Sequence, residues 1–201
     1  MIKAIIFDLW NTLGGKHTSV SRVLFSHFGI LNRPATNVQY ERSVQLKKWK
    51  TKKTMAKGFL RAFGLAITAS NTAFVQKAFD HAIQEAMPFP GMKQLLFELN
   101  SHYKIAMLSN TTNFESAVPT RWGFDGIFDA EVYSWQVGAI KPARKNFEAA
   151  AKRLQARMDE CLFIDDNIIN VRAAKRYGMK AIHFKDVAQL KRELGKLSIK
   201  F

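Results

Sequence analysis

Residues 2–13 read Ile2-Lys3-Ala4-Ile5-Ile6-Phe7-Asp8-Leu9-Trp10-Asn11-Thr12-Leu13. The stretch Ile2–Phe7 is short, apolar and β-branched, and it stops at a carboxylate, which is the pattern of a buried strand running into a polar loop. Similar short apolar segments recur at Lys104–Leu108, Glu131–Tyr133, Cys161–Ile164 and Ala181–Phe184. Helical spacing of apolar residues lies between and after them, over Gly91–Asn100, Ala143–Leu154, Ile168–Tyr177 and Val187–Leu194. Strands alternating with helices of this length predict an α/β fold, a Rossmann-like parallel sheet with helices on both faces.

Residues 14–87 break the rhythm. They contain no convincing strand and four helical stretches, near 18–29, 36–50, 54–66 and 70–86. Thr36 with Gln39 has capping-box spacing, and Ser70 reads as an N-cap. Pro88 and Pro90-Gly91 punctuate the return to the α/β pattern. The expected organisation is therefore a core made of residues 1–13 and 88–201, with a helical cap inserted at 14–87.

The chain carries a net charge of +15 across 201 residues, with 47% apolar residues, which fits a globular protein and excludes disorder and collagen-like arrays. Much of that charge sits in the insertion, where twelve basic side chains face only Glu41, Asp80 and Glu85. Such an excess raises anionic partners of several kinds. The run Lys47-Lys48-Trp49-Lys50-Thr51-Lys52-Lys53 has the look of a nucleic-acid patch, but on a helix its lysines would circle the axis, so a solvated surface is the expected reading. Cys161 is the single cysteine, so no internal disulfide forms, and it is expected to pack as a small hydrophobe. No apolar run reaches the roughly 20 residues of a membrane span, and the N-terminus lacks a signal-peptide pattern, so a cytoplasmic protein is expected. The five histidines show no ligand spacing, which argues against zinc. Nucleophile-elbow, Walker A and dinucleotide-binding glycine patterns are missing from the sequence.

In an open α/β sheet, functional groups gather at the carboxyl ends of the strands. Those positions supply Asp8 and Thr12, then Ser109 and Asn110, then Asp165 and Asp166, with Lys141-Pro142 in the connection before the Cys161 strand. Three clustered carboxylates would repel one another and raise their own pKa values, a conflict that a divalent cation removes. An all-oxygen set suits Mg²⁺. Mg²⁺ with a lysine and a hydroxyl makes a site for a phosphate-sized anion.

The ordered set Asp8…Thr12, Ser109, Lys141-Pro142 and Asp165-Asp166 resembles the four motifs of the haloacid dehalogenase-like hydrolase superfamily. The flanks Ile5-Ile6-Phe7-Asp8-Leu9, Pro88-Phe89-Pro90-Gly91 and Phe163-Ile164-Asp165-Asp166-Asn167 agree with it. The resemblance spans essentially the whole chain and is nearest to the branch of glucose-1-phosphate phosphatases and the N-terminal phosphatase domain of soluble epoxide hydrolases. It implies that Asp8 is the nucleophile and a Mg²⁺ ligand, that Ser109 and the backbone of Asn110 hold phosphoryl oxygens, and that Lys141 neutralises charge. It also implies that Asp165 and Asp166 hold the metal and that Thr12 locks the first loop. The substrate it implies is a small phosphorylated metabolite, ahead of nucleic acid, with no membrane partner; nothing in the sequence sets an oligomeric state.

One position departs from that pattern. The phosphatases carry a second aspartate two residues after the nucleophile, as general acid and base, and here that residue is Trp10. Its backbone carbonyl can still serve as a metal ligand, but an indole neither donates nor accepts a proton usefully at neutral pH. The expectation is a slow or leaving-group-selective phosphatase. Two alternatives follow: a 2-haloacid dehalogenase, whose halide needs no proton and whose cap arginine could be Arg33 or Arg42, and a weakened fold used for binding.

Overall fold

The computed structural model describes residues 1–15 and 18–201, so Lys16 and His17 lie outside the described residues. In chain order the elements are β1 (Ala4–Phe7), β2 (Gly14–Gly15), α1 (Val20–Phe28), α2 (Pro34–Val44), α3 (Lys52–Ala62), α4 (Ala69–Glu85), β3 (Met87–Pro88), α5 (Met92–Asn100) and β4 (Lys104–Ser109). They continue with α6 (Val118–Arg121), β5 (Ala130–Tyr133), α7 (Ser134–Val137), α8 (Arg144–Arg153), β6 (Cys161–Asp165), α9 (Ile168–Arg176), β7 (Lys180–His183) and α10 (Val187–Lys196).

Five strands form a fully parallel sheet in the order β5-β4-β1-β6-β7. The alternation of a strand explains how it is covered. Ile5 and Phe7 of β1 face one side, with Ile105, Met107, Leu162 and Ile164, against Leu95, Leu96 and Leu99 of α5 and Leu190 and Leu194 of α10. Ala4 and Ile6 face the other, with Ala106, Leu108 and Phe163, against Phe147 and Ala150 of α8 and Ala173 and Ala174 of α9. The central strands β1, β4 and β6 are buried on both faces, which is why they read as apolar runs, whereas the edge strands β5 and β7 carry the exposed Glu131 and Lys180. From β1 the chain moves outward to β4 and β5, then crosses back to β6 on the other side of β1. The crevice where the order reverses lies at the carboxyl ends of β4, β1 and β6.

The segment between β2 and β3 folds around its own apolar cluster, in which Leu24, Phe25, Val44, Phe59, Val75 and Phe79 are buried. Its two ends are joined by the antiparallel pair β2–β3, with Gly14 opposite Pro88 and Gly15 opposite Met87. Trp122 packs against this pair: a Cβ on Gly14 would sit 2.4 Å from its ring and 2.4 Å from the Met87 carbonyl oxygen.

Several local expectations are corrected. Helix α2 ends at Val44 instead of reaching residue 50, so the lysine run spans a loop and the first turn of α3. Trp49 in that run is packed, with its ring against Gly58, its indole N–H donated to the Val44 carbonyl at 2.8 Å and its backbone N–H to Asn113 Oδ1 at 2.8 Å. Pro34, which favours the first helical position, moves the start of α2 forward, so Thr36 lies inside the helix and its hydroxyl turns back to the Arg33 N–H at 2.9 Å. Likewise Thr68, not Ser70, caps α4, accepting from Asn71 N at 3.0 Å. The short helices α6 and α7 have too few turns to leave a periodic signal.

Candidate active site

Asp8 directly follows β1, and its N–H continues the ladder to the Ile164 carbonyl at 2.9 Å. The loop then turns sharply. Asn11 takes φ +60°, a conformation that Asn tolerates better than most residues, and Leu13 and Gly14 both donate to the Leu9 carbonyl. Thr12 is buried and its Oγ1 accepts the backbone N–H of Asp166 at 3.1 Å, tying the β1 loop to the β6 loop.

Lys141 is buried, and its Nζ lies 2.5 Å from Asp8 Oδ1 and 2.7 Å from Asp165 Oδ2. Asn110 sets its place: Asn110 Oδ1 accepts the Lys141 N–H at 2.8 Å, and Asn110 Nδ2 donates to the Lys141 carbonyl at 3.3 Å. Asp165 closes β6 and accepts from Asn167 N at 2.7 Å and from Asn170 Nδ2 at 3.0 Å. Asp166 is half-buried, and its carbonyl lies 2.8 Å from His183 Nε2 at the end of β7. Oxygen atoms of Asp8, Asp165 and Asp166 all lie within 4.8 Å of one another. Ser109 Oγ, at the end of β4, is buried with no hydrogen-bond partner among the described residues.

One lysine thus serves two buried carboxylates, with a third beside them. Burial pushes the Asp8 carboxyl up to about 8, a rise that Lys141 opposes and that Asp165 and Asp166 reinforce. Burial alone would lower Lys141, but Asp165 and Asp8 outweigh it and hold the ammonium above its ordinary range. Asp166 is raised by burial and by Asp165. The cluster therefore holds excess negative charge that a cation or a proton must offset.

These groups open into a cavity of about 260 Å³. Trp10 is half-buried on its wall, and its indole N–H donates to Thr111 Oγ1 at 3.2 Å. The inserted helices supply another wall: Ser19 and Val20 at the N-cap and start of α1, and Asn37, Tyr40, Glu41 and Gln45 of α2 and its C-cap. Sequence reasoning missed this wall, together with Glu115 and Asn170. Asn170 was the most readable of them, as a polar residue one turn into α9 on its buried side. Carboxylates dominate the charged part of the lining (Asp8, Glu41, Glu115, Asp165, Asp166), and Lys141 is its one cation among the described residues. None of the insertion's described basic side chains lines the cavity.

Comparison with known proteins agrees with this picture. Of the curated proteins, a bifunctional riboflavin kinase/FMN phosphatase from Arabidopsis thaliana is 33% identical over 107 residues, covering 52% of this chain and 28% of its own length. The chain thus spans less than a third of that relative. Among solved structures, a substituted form of a haloacid dehalogenase family enzyme from Bacteroides thetaiotaomicron, in complex with magnesium and inorganic phosphate, superposes with a TM-score of 0.69 at 20% identity, covering 96% of this chain and 100% of its own. L-2-haloacid dehalogenase from Xanthobacter autotrophicus superposes with a TM-score of 0.60 at 23% identity, covering 100% of this chain and 85% of its own. At these identities the structures speak for the fold. Residues 2–178 match the haloacid dehalogenase-like hydrolase family itself. The chain belongs to that family: it is a haloacid dehalogenase-like hydrolase.

Proposed function

We propose that the protein is a Mg²⁺-dependent phosphatase that hydrolyses small phosphate monoesters through an aspartyl-phosphate on Asp8, with the inserted helices acting as the cap that selects the substrate. The observation that carries this reading is the group of three carboxylates, oxygens within 4.8 Å of one another, set against the buried Lys141. The donor set fits the metal. It is all oxygen, crowded and short of positive charge, which suits Mg²⁺ better than zinc. Asp8, Asp165 and Asp166 would hold it, with the backbone carbonyl of Trp10. When bound, Mg²⁺ supplies positive charge to the phosphoryl oxygens.

The chain's own groups do the rest. Lys141 holds the Asp8 carboxylate in place and adds charge where the phosphoryl group develops it. The unpartnered Ser109 hydroxyl supplies a donor for a phosphoryl oxygen. Asp8 forms the bond to phosphorus as the ester oxygen leaves, and water then releases phosphate. Trp10 provides no proton, so unless another side chain of the cavity supplies one, turnover is slow or favours good leaving groups; general acid catalysis is typically worth about 10²–10⁴-fold. The cavity volume of about 260 Å³ suits a small phosphorylated metabolite in the cytoplasm. The magnesium and phosphate held by the Bacteroides enzyme, and the FMN phosphatase activity named in the Arabidopsis relative, point the same way. Phosphate release from p-nitrophenyl phosphate with Mg²⁺, abolished by Asp8→Asn, is the expected result; equal release by the variant overturns the reading.

Trp10 favours a second reading, 2-haloacid dehalogenation, because halide leaves without a proton. Against it, Arg33 and Arg42 are exposed and outside the cavity lining, so neither forms a halide cradle there. Halide release from a 2-haloacid without added metal would establish that activity instead. Turnover of neither substrate class would leave a binding role for the fold.

A further inference from the structure

Resting on the phosphatase reading, we propose that Glu41 of α2 is the general acid and base for the leaving group, supplied from the inserted helices in place of a carboxyl in the Asp8 loop.

The cavity lining leaves few candidates. Asp8, Asp165 and Asp166 form the acidic cluster around Lys141. Glu115 is held inside the β4 loop, its Oε2 accepting from Thr112 N at 3.2 Å, Thr112 Oγ1 at 3.0 Å and Thr111 Oγ1 at 3.3 Å. The Trp10 indole is bound to Thr111 and carries no exchangeable acid. Burial, with Glu115 and Glu41, pushes the Tyr40 phenol well above its ordinary value, making it a poor donor. Glu41 remains among the described carboxyls.

Its placement suits the work. Glu41 lines the same cavity as Asp8, Lys141, Asp165 and Asp166. Its carboxylate interacts with the side chain of Asn110, the residue that fixes Lys141, so it reaches the phosphoryl end of the cavity. Burial raises its pKa, while Asn110 and Lys141 pull it down and Asp165 pushes it up, leaving it above the usual Glu value. That is the direction an acid working near neutral pH needs. Asn37, Glu41 and Gln45 lie four residues apart and therefore share one face of α2, and all three line the cavity. Gln45 is 7% exposed, and its Oε1 has no partner among the described residues. A buried acceptor beside the acid marks where the alcohol half of the ester sits and favours an alcohol with a further hydroxyl to donate.

In the first step, the Asp8 oxygen bonds to phosphorus, the bond from phosphorus to the ester oxygen breaks, and the proton of Glu41 passes to that oxygen to give the neutral alcohol. In the second, Glu41 carboxylate takes a proton from water as the water oxygen bonds to phosphorus. The bond to Asp8 breaks, and inorganic phosphate and protonated Glu41 result.

The test compares kcat/KM for p-nitrophenyl phosphate, whose phenolate leaves unaided, with that for glycerol 3-phosphate. Wild type, Glu41→Gln, Glu41→Gln with Trp10→Asp, and Asp8→Asn are measured with Mg²⁺, and thermal unfolding checks that each variant folds. In Glu41→Gln the alkyl ester should lose about 10²–10⁴-fold while the aryl ester changes by less than about threefold. Trp10→Asp should restore at least about tenfold on the alkyl ester, which a merely structural role for Glu41 would not allow. Equal losses on both esters, or no restoration in a folded double variant, overturn the assignment. If Asp8→Asn silences the chain but Glu41→Gln leaves the alkyl-to-aryl ratio unchanged, this assignment alone falls. If the wild type releases no phosphate, or Asp8→Asn releases as much, the phosphatase reading falls and takes the assignment with it.

Discussion

Replacing Lys141 with Met removes the positive charge between Asp8 and Asp165 while nearly preserving side-chain volume, so little cavity cost enters. The lysine side chain is 2% exposed and contacts both carboxylates, at 2.5 and 2.7 Å. Removing one partner of a buried ion pair typically costs about 3–5 kcal/mol. At roughly 2–4 °C per kcal/mol for a chain of this size, Tm should fall by about 6–20 °C in metal-free buffer. The loss should depend on pH. The Asp8 pKa is about 8 in the folded chain, above the ordinary carboxylate value of 3.8. Between those values the folded state holds a proton that the unfolded state has released, so stability falls as pH rises through the window. Without Lys141 nothing opposes that trend, and the variant should be weaker at about pH 8 than at about pH 5. Urea unfolding followed by circular dichroism measures this, with Lys141→Met/Asp8→Asn completing a double-mutant cycle. Recovery of much of the loss in the double variant is expected. A loss below about 1 kcal/mol, or one that shrinks as pH rises, would refute the claim that the lysine offsets the carboxylates.

Other outcomes follow from the same geometry. Mg²⁺ should raise the Tm of the wild-type chain, more at about pH 8 than at about pH 5 because protons compete for the same oxygens, and Asp165→Asn should remove most of the effect in a thermal-shift assay. Trp10→Asp should shift the ratio of aryl to alkyl phosphate turnover by less than about threefold while Glu41 is present, and by at least about tenfold in the Glu41→Gln background, in steady-state assays. Gly14→Ala should cost about 1–3 kcal/mol by urea unfolding, because its Cβ would meet the Met87 carbonyl oxygen and the Trp122 ring, both at 2.4 Å. Gly15→Ala, where the nearest atom is 3.5 Å away, should cost less than about 1 kcal/mol.

The sheet was readable because its central strands are buried on both faces and appear as apolar runs. The acidic cluster was readable for a related reason: Asp8, Ser109 and Asp165 stand where an apolar run stops, so each is labelled by its neighbours. Lys141 carried no such label: taken alone it reads as a solvated lysine, and only its place in the set singled it out. Glu41 and Gln45 were invisible for a different reason. Nothing in a helix's own sequence tells which polar face will be docked onto a distant pocket, and only the packing of α2 over the sheet crevice gives these residues a role. The end of α2 was misplaced because the residues after Val44 are acceptable helix formers. The competing demands of Trp49, which binds both Val44 and Asn113, decided the matter there.

The pairing of Gly14 with Pro88 brings the two ends of the inserted segment side by side. To the sheet, everything between them counts as one turn, and loop-closure entropy grows only by about 0.6 kcal/mol for each doubling of length. A different set of helices could therefore be spliced in at Gly15 and Met87 without disturbing strand register. On the proposed reading, the nucleophile and its acidic surroundings stay with the sheet, while the leaving-group side of the pocket, Glu41 included, would be renewed by graft.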